Sequence, residues 1–408
     1  MKFLDCIDVN PKISLEKGKI VPFIEMGNVS TIYRNPVAVE RKPFDSGVKF
    51  QDGDTVVARI TPCLQNGKRF YCKNIGTGFG STEYLVFRPK NKSIDNLYLY
   101  YFMKTEFIKQ SMINSMVGAT GRQRVNNDVF KNIEVNFPDK EKQIKVGEIL
   151  SAYDDLIENN QKQIKLLEEA AQRLYKEWFV DLRFPGYETT PIVDGVPEGW
   201  EKKNVGGLIQ YEIGGGWGEE FIKEKFENSA YVIRGTDLYG LTHGDFENIP
   251  CRFHSEANLQ VRKLVDGDII FEVSGGSKNE GVARTALIRS KLLETFNEPV
   301  MCASFCKLIR FNSLEIAQYM YDTFKYLRNS GKTSEFDKKS ASSIVNYRWK
   351  DFLEQQDILL PDIKILESYN ELAGNFYNQI LCKSVLIKIL KQARDRLLPK
   401  LMSGELEV

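Results

Sequence analysis

Histidine and long apolar runs are scarce in this chain of 408 residues. Its two histidines, His243 and His254, lie outside any metalloprotease-type motif and away from a nucleophile signature. No run of about 18 apolar residues occurs, so we expect no membrane-spanning helix. The N-terminus carries Asp5 and lacks the apolar segment of a signal peptide, which predicts a cytoplasmic protein.

The cysteines favour reduced thiols over a disulfide framework. There are 7 of them, an odd number, and no export signal accompanies them. Cys302 and Cys306 follow His243, Cys251 and His254 along the chain, but the spacing matches no zinc motif. We therefore expect no metal site.

Motifs for nucleotide and methyl-transfer chemistry are also missing. The chain has no Gly-x-x-x-x-Gly-Lys-Ser/Thr loop and no Asn-Pro-Pro-Tyr or Asp-Pro-Pro-Tyr motif, which an adenine methyltransferase would need. Residues 76–80, Gly-Thr-Gly-Phe-Gly, precede a predicted strand at 84–88, whereas a nucleotide loop opens a helix, so we interpret them as a turn or groove-facing loop. Pro138-Asp139 has no nearby Glu-x-Lys of a nuclease core. The sequence predicts a binding protein without catalytic residues or a cofactor of its own.

Charge is divided unevenly along the chain. Residues 1–138 carry 20 Lys+Arg against 13 Asp+Glu, a net charge of +7, whereas residues 184–361 carry 21 against 26, a net charge of −5. Residues 139–183 and 362–408 have net charges of −2 and +1. The first globular segment is therefore basic enough to bind a polyanion, and the second is not.

The two halves of the chain end in similar helical segments. Residues 138–183 and 361–406 align at an offset of 223, which places Pro138 on Pro361. Apolar residues recur at three- and four-residue steps in both segments, with Glu, Lys and Gln between them, as in long amphipathic helices. A repeat of this length indicates a tandem module.

We predict that the two helices pair as an antiparallel coiled coil, because each carries an apolar stripe that needs a partner. The alternative is that each helix packs separately against its own domain. Asn160 and Gln163 interrupt the first stripe, and polar residues in such a seam can fix its register. The predicted contact residues are Ile149, Tyr153, Leu156, Ile164, Leu167 and Leu174 on the first helix and Phe376, Ile380, Ile387, Leu390 and Leu397 on the second.

Each helix follows a globular segment rich in predicted strands. Gly53-Asp54 opens a β-branched run in the first segment, and Gly267-Asp268 matches it in the second at an offset of 214. A helix over 96–116 is matched by one over 316–328, and residues 130–137 predict a further strand. The predicted fold is α+β with pseudo-two-fold symmetry, and its parts are domains at 1–138 and 184–361, a helical spacer at 139–183 and a distal helix at 362–408.

Several motifs resemble the central and distal conserved regions of one protein family. They are Asp-Asp-Leu-Ile-Glu-Asn-Asn at 154–160, Leu-Tyr-Lys-Glu-Trp-Phe-Val-Asp at 174–181, Phe-Pro-Gly at 184–186, Pro-Glu-Gly-Trp at 197–200 and Arg-Leu-Leu-Pro-Lys-Leu-Met-Ser-Gly-Glu-Leu at 396–406. With two β-rich units that each end in a long helix, the whole chain resembles the specificity subunit of Type I restriction–modification systems.

The resemblance implies that each globular segment is a target recognition domain that reads half of a bipartite sequence in double-stranded DNA. It also implies that the helices set the distance between half-sites and dock two modification (methyltransferase) subunits, which bring S-adenosylmethionine. Restriction subunits that use ATP and Mg²⁺ would join them, and this chain would be non-catalytic. The alternative is a coiled-coil adaptor with two protein-binding domains.

Candidate DNA contacts in the first domain are basic or lie in a glycine-punctuated loop. Arginine pairs with guanine O6 and N7, glutamine pairs with adenine, and glycine lets the backbone approach a groove. Basic residues near Tyr71 suit phosphates or groove edges. The expected contacts are Arg59, Lys68, Arg69, Lys73, Thr120, Gly121, Arg122, Gln123 and Arg124.

Candidates in the second domain are less regular. Residues 332–339 stand where the glycine loop should be, but they include Glu335 and Asp337 among the lysines. Residues 214–218 are interpreted as a flexible groove-side loop or a turn. By position, the expected DNA contacts are Ser277, Lys278, Lys332, Ser334, Lys338 and Lys339.

Overall fold

The structure, a computed structural model, describes residues 1–275, 281–339 and 344–408. It divides into unit 1, which contains Met1–Asn159 and Leu390–Val408, and unit 2, which contains Asn160–Ile389. Each unit combines one β-rich segment with part of each long helix. The four predicted segments, whose borders follow the helix ends, remain a prediction.

Unit 1 contains two four-stranded sheets and a short ribbon. One sheet, in the order β1-β8-β5-β6, is antiparallel, whereas the other, in the order β3-β2-β7-β4, pairs β2 with β7 in parallel. Strands β9 and β10 form the ribbon. The strands are β1 (Ile7–Val9), β2 (Ile20–Ile24), β3 (Glu40–Pro43), β4 (Val48–Phe50), β5 (Thr55–Ala58), β6 (Arg69–Tyr71), β7 (Gly78–Gly80), β8 (Tyr84–Pro89), β9 (Met116–Val117) and β10 (Arg124–Val125).

Strands β5 and β8 lie at the centre of unit 1 and bury side chains on both faces. Val57 and Phe87 pack into one core with Phe130, whereas Val56 and Val86 pack into another core on the opposite face. Alternation of side chains along a strand produces this division. All four residues of β5, Thr55–Ala58, are therefore buried.

The helices of unit 1 differ from the prediction in two places. The predicted helix over 96–116 is two helices, α2 and α3, and residues 130–137 begin within helix α4 instead of forming a strand. Asp95 caps α2 by accepting hydrogen bonds from the amides of Leu97 and Tyr98 at 3.0 and 2.9 Å. The helices are α1 (Phe3–Cys6), α2 (Asn96–Phe102), α3 (Glu106–Asn114), α4 (Val129–Asn132) and the long helix α5 (Lys140–Tyr175), which continues into unit 2.

Unit 2 repeats the central sheet and adds further strands. The sheet in the order β14-β21-β17-β19 is antiparallel, as is the sheet β18-β23-β22, whereas β15 pairs in parallel with β20 and antiparallel with β16. Two strand pairs, β11-β12 and β13-β24, complete the unit. The strands are β11 (Ile192–Val193), β12 (Val196–Pro197), β13 (Glu201–Asn204), β14 (Ile209–Gly214), β15 (Asn228–Ile233), β16 (Cys251–His254), β17 (Ile269–Glu272), β18 (Ser274–Gly275), β19 (Thr285–Leu287), β20 (Val300–Cys302), β21 (Cys306–Phe311), β22 (Asp337–Lys339), β23 (Val345–Tyr347) and β24 (Asp357–Leu360).

The helices of unit 2 are interspersed with its strands along the chain. A π-helical turn at Lys176–Val180 follows α5, and a 3-10 turn at Lys332–Phe336 precedes β22. The predicted helix over 316–328 is confirmed as α9. The helices are α6 (Leu238–His243), α7 (Glu256–Arg262), α8 (Ser290–Leu293), α9 (Leu314–Asn329), α10 (Trp349–Gln355) and α11 (Ile363–Ser403), which continues into unit 1.

Two glycine-containing segments are more constrained than predicted. Gly78 lies in buried strand β7, where an added Cβ would come within 2.5 Å of the Pro22 carbonyl oxygen. The amides of Gly215 and Gly216 donate to the carbonyls of Cys306 and Cys302, both at 2.9 Å. Residues 78–80 thus form a strand instead of the predicted turn or loop, whereas residues 215–218 are a loop that backbone hydrogen bonds hold in place.

Both central sheets contain the same buried ion pair. Arg88 on β8 donates to the two carboxylate oxygens of Asp54 at 2.6 and 2.7 Å, and Arg310 on β21 donates to Asp268 at 2.7 and 2.8 Å. Both aspartates are fully buried. Each aspartate also accepts a hydrogen bond from the backbone amide of the residue three positions earlier in the chain. This bond closes the turn before the strand. The aspartate of the repeated Gly-Asp motif therefore has a structural role in both sheets.

Burial along the long helices follows a seven-residue repeat. A spacing of 3.5 residues per turn keeps one seam facing a partner helix. The 223-residue offset from the sequence aligns the two seams position by position. The buried seam residues are Gln143, Leu150, Ile157, Ile164, Ala171 and Trp178 on the first helical segment, and Leu366, Ala373, Ile380, Ile387, Arg394 and Leu401 on the second.

The helices pair in antiparallel fashion within each unit, as predicted. In unit 1, Leu150 packs in one cluster with Leu398. Asp154 lies one turn after Leu150, and it pairs with Arg394, which lies one turn before Leu398. In unit 2, Lys383 donates to Gln163, and the ring centroids of Trp178 and Tyr369 are 5.9 Å apart. Within each unit, the contact partner on α11 moves toward the N-terminus of α11 as the position on α5, or in the turn after it, moves toward the C-terminus.

Most predicted helix contacts lie on or beside this seam, with one correction. Ile164, Ile380 and Ile387 are fully buried or nearly so. Leu156 is 50% exposed, because the seam passes through its neighbour Ile157. The half-buried members flank the seam, and they are Ile149, Tyr153, Leu167, Leu174, Phe376, Leu390 and Leu397.

Candidate nucleic-acid interface

In unit 1 the glycine-punctuated loop connects β9 to β10 and forms the end of an exposed hairpin. The Arg122 amide donates to the Ala119 carbonyl at 3.0 Å, which closes a turn. Gly118 and Gly121 have φ angles of +122° and +80°, a region that glycine occupies without steric cost. Thr120, Gly121 and Arg122 are exposed, and Gln123 is half-buried. The hairpin thus presents these predicted contacts to solvent.

Arg124 follows the loop and is held by an ion pair. Its Nε donates to both Glu83 carboxylate oxygens at 2.9 Å, and one terminal nitrogen donates to Oε1 at 2.6 Å. The carboxylate raises the pKa of the Arg124 guanidinium, first through these hydrogen bonds. Bidentate pairs fix the plane of an arginine. Arg124 is therefore oriented while half of its side chain remains exposed.

Arg59 anchors the hairpin instead of extending into solvent. One of its terminal nitrogens donates to the Val125 carbonyl at 2.9 Å, and its own carbonyl accepts the Val125 amide at 2.9 Å. The amide of Thr61 donates to the Gln123 carbonyl at 3.0 Å. These bonds attach the hairpin to the end of β5, so Arg59 positions the predicted contacts.

The basic residues around Tyr71 do not form one surface group. Arg69 is buried and donates to the carbonyls of Gly67 and Met103 at 3.1 and 3.2 Å. Burial lowers the pKa of its guanidinium. We correct the prediction for Arg69, because a side chain committed to the core does not face DNA. Lys68 donates to the Met26 carbonyl at 2.9 Å, and Lys73 is exposed.

Unit 2 has the same backbone framework around strands β22 and β23. In unit 1 the Arg59 amide donates to Glu83 at 2.8 Å, and the Val125 amide donates to Arg59. In unit 2 the Val273 amide donates to Phe305 at 2.9 Å, and the Tyr347 amide donates to Val273 at 2.8 Å. Chain offsets of 214 and 222 relate these pairs. The β22–β23 hairpin is therefore the counterpart of the β9–β10 hairpin.

The common framework pairs three positions of the first domain with three positions of the second. They are Ile60 and Ser274, Glu83 and Phe305, and Arg124 and Asn346. Ser274 Oγ donates to Asn346 Oδ1 at 2.8 Å. The 214-residue offset in the sequence already pointed to Ser274. Asn346 was missed because the glycine loop was aligned too early in the second domain.

The second-domain predictions fall into three groups. Lys332 and Ser334 lie in the 3-10 turn before the hairpin, which corrects their assignment to the glycine-loop position. Lys338 is an exposed residue of β22, where it pairs with Asn346, and Lys339 follows it on that strand. Ser277 and Lys278 lie outside the described residues.

The histidines and buried cysteines give no sign of a metal centre in the part of the chain that the structure describes. No group of three or more His, Cys, Asp or Glu residues there could hold a metal ion. Burial lowers the pKa of His243, whose ring stacks on Tyr239 at a centroid distance of 3.8 Å. Burial raises the pKa of the Cys302 thiol to about 12. These side chains belong to packed cores.

Comparison with known proteins assigns the family. Residues 9–169 match the model of the Type I restriction modification DNA specificity domain. Over 344 residues the chain is 31% identical to the Type I restriction enzyme MjaVIII specificity subunit of Methanocaldococcus jannaschii, covering 81% of this chain and 75% of that one. The chain belongs to the family of Type I restriction enzyme specificity subunits.

Two further similarities agree with this family. The MjaIX specificity subunit of the same organism is 28% identical over 343 residues, covering 78% of this chain and 71% of that one. The crystal structure of the S subunit of the Type I restriction–modification system of M. genitalium has a TM-score of 0.57 at 13% identity. That alignment covers 98% of this chain and 95% of the other, and it shows a shared fold.

In this specificity subunit, buried polar contacts fix each recognition domain to its helices. In unit 1, Tyr101 of α2 donates to Asp154 at 2.6 Å, and Asp154 also pairs with Arg394. In unit 2 the polarity is reversed, because Asp322 of α9 accepts from Tyr369 at 2.7 Å and from Tyr377. Burial raises the pKa of Asp322 against the opposing effect of these bonds.

Proposed function

We propose that this chain is the non-catalytic DNA-recognition subunit of a Type I restriction–modification complex. Each recognition domain would read one half of a bipartite target in double-stranded DNA. The observation that carries this proposal is the repeated hairpin framework, which presents different side chains in the two domains. A single chain with two unequal readers suits two different half-sites, whereas a symmetric homodimer reads the same half-site twice.

The net charges of the two domains support different contributions to DNA binding. The first domain has a net charge of +7 over residues 1–138, and Arg122 is exposed at the tip of its hairpin. The second has a net charge of −5 over residues 184–361, so its contribution depends on local groups such as Lys338. Partner subunits would supply basic surface around the duplex, since phosphate contacts dominate DNA affinity.

The long helices are suited to setting the distance between half-sites and to docking the modification subunits. Half-sites one helical turn apart lie about 34–36 Å from centre to centre, and the 36 residues of α5 extend over roughly 54 Å at about 1.5 Å per residue. Both helices also expose large apolar side chains away from the seam, and we assign these to docking. They are Ile144, Leu156 and Leu166 on α5 and Ile363, Leu372, Leu386 and Ile389 on α11.

The partners and cofactors follow from this assignment. Two modification subunits would dock on the exposed helix faces and bring S-adenosylmethionine. Restriction subunits would bring ATP and Mg²⁺, and this chain would hold no cofactor. The structure describes no helix long and apolar enough to cross a membrane within 1–275, 281–339 and 344–408. A cytoplasmic location remains our prediction.

The proposal is tested by measuring DNA binding with and without modification subunits. We expect the isolated chain to bind DNA weakly, and the reconstituted complex to bind and methylate one bipartite sequence. Sequencing of methylated DNA from a host that carries the system would identify that sequence. A duplex with one scrambled half-site is the control. Equal affinity with and without modification subunits, or methylation without sequence preference, would contradict the proposal.

A further inference from the structure

One surface group in unit 2 has the arrangement of a base-reading site. Ser274, Phe305 and Asn346 occupy the framework positions that Ile60, Glu83 and Arg124 occupy in unit 1. Resting on the proposed function, we infer that Asn346 and Phe305 recognise an A·T base pair in the second half-site. Asn346 would bind adenine, and Phe305 would contact the thymine methyl group.

Asn346 has the chemistry that adenine requires, and Ser274 holds its side-chain amide. It is exposed on β23, and its Oδ1 accepts a hydrogen bond from Ser274 Oγ at 2.8 Å. A carbonyl oxygen has two lone pairs, so Oδ1 can accept a second hydrogen bond from adenine N6 while the amide nitrogen donates to N7. Ser274 thus limits rotation of the amide, as Glu83 limits rotation of Arg124 in the first domain.

Phe305 supplies an apolar side chain and is bonded through its backbone to Ser274, the cross-strand partner of Asn346. Its carbonyl accepts hydrogen bonds from the amides of Val273 and Ser274 at 2.9 and 3.2 Å, so its backbone position is fixed. Its side chain is 55% exposed, so the phenyl group is accessible to a ligand. Only thymine presents a methyl group in the major groove, and phenylalanine is one of the residues that contact it. An adenine-reading amide and an exposed phenyl group on one backbone framework therefore point to an A·T pair.

The first domain provides a contrast on the same framework. There Arg124 is oriented by Glu83, and an arginine in this geometry pairs with guanine O6 and N7. Because Arg124 in the first domain corresponds to Asn346 in the second, we expect guanine in the first half-site and adenine in the second. The common framework would thus hold the readers in the same way while their side chains set the base.

The experiment uses the full chain reconstituted with its modification subunits. The substrate is a duplex pool that keeps the first half-site and randomises the second, and methylated molecules are sequenced. We expect the wild-type complex to select A·T at one position of the second half-site in addition to the adenine that is methylated. Asn346→Ala should weaken that preference by roughly 5- to 150-fold, the range of one bidentate base contact. Asn346→Arg should shift the preference from adenine to guanine.

Deoxyuridine substrates isolate the second contact, because uracil lacks the methyl group. The wild-type complex should prefer thymine to uracil at the selected position, whereas Phe305→Ala should not distinguish them. Asn312→Ala is the matched control, since Asn312 is exposed just beyond the opposite end of β21. A circular dichroism spectrum and an unfolding midpoint equal to those of the wild type show that each variant is folded.

The outcomes separate this inference from the proposed function. A sequence-specific wild-type complex whose preference survives Asn346→Ala overturns the inference and leaves the proposed function intact. Selection of A·T at no position other than the methylated adenine overturns it as well. A wild-type complex without sequence preference overturns both.

Discussion

Glu83 orients Arg124 at the surface of the first recognition domain through hydrogen bonds of 2.6 to 2.9 Å. Exposed ion pairs contribute little to stability, because water and salt screen them. The pair is better explained as orientation of a guanidinium for another ligand. Arg122, two residues earlier, is exposed at the tip of the same hairpin.

Arg122→Ala and Arg124→Ala should relax the sequence preference of the first half-site and leave the second unchanged. Loss of one bidentate base contact reduces discrimination by roughly 5- to 150-fold. Methylation of a duplex pool with a randomised first half-site measures this change. Arg41→Ala is the control, since Arg41 is an exposed arginine on β3 of the other sheet. Unchanged preference in both hairpin variants would remove them from the interface.

Asp54→Ala and Asp268→Ala should each destabilise their own domain by about 3–5 kcal/mol, because each leaves a partly buried arginine without its carboxylate. Urea unfolding followed by circular dichroism measures the loss. Asp45→Ala removes a carboxylate that is 74% exposed and paired with Lys17, so its unfolding midpoint should hardly change. Equal effects at Asp45 and Asp54 would contradict the structural role of the buried pair.

Ile164→Ala should destabilise the helix pair by about 2–5 kcal/mol, since the side chain is fully buried in the seam. Leu166→Ala removes a similar volume from a side chain that is 64% exposed, and it should cost far less. Thermal unfolding compares the two variants. A larger loss for Leu166→Ala would place the seam on the wrong face of α5.

Lys104 should give unit 1 a pH dependence in the alkaline range. Burial, reinforced by the charge of Arg394, lowers its pKa from 10.5 to about 8, although its Nζ donates to Asp395 at 2.8 Å. Between about pH 8 and 10.5 the unfolded chain binds this proton and the folded chain does not, so the free energy of unfolding rises with pH from this group.

Lys104→Met should remove this rise in the free energy of unfolding. Urea unfolding of the wild type and the variant at a series of pH values measures the difference. Lys92→Met, at an exposed lysine of the same domain, is the control and should keep it. A difference between wild type and Lys104→Met that does not vary with pH would contradict the lowered pKa.

Local periodicity made the helices readable from the sequence. The 223-residue offset and the three- and four-residue spacing predicted two matching helices, and Ile164 and Ile387 lie in the seam as expected. The error at Leu156 arose because its neighbour Ile157 is equally apolar. The choice between adjacent apolar residues depends on the rotation of the helix against its partner.

The sequence by itself determined the duplication, the charge division between the domains and the family motifs, because these follow from composition and spacing along the chain. Only the tertiary structure decided which basic residues face solvent. Arg69 and Arg122 carry the same charge, yet long-range packing buries the first and a hairpin exposes the second. The correspondence between Arg124 and Asn346 likewise follows from backbone hydrogen bonds between residues distant in the chain, which spacing alone does not specify.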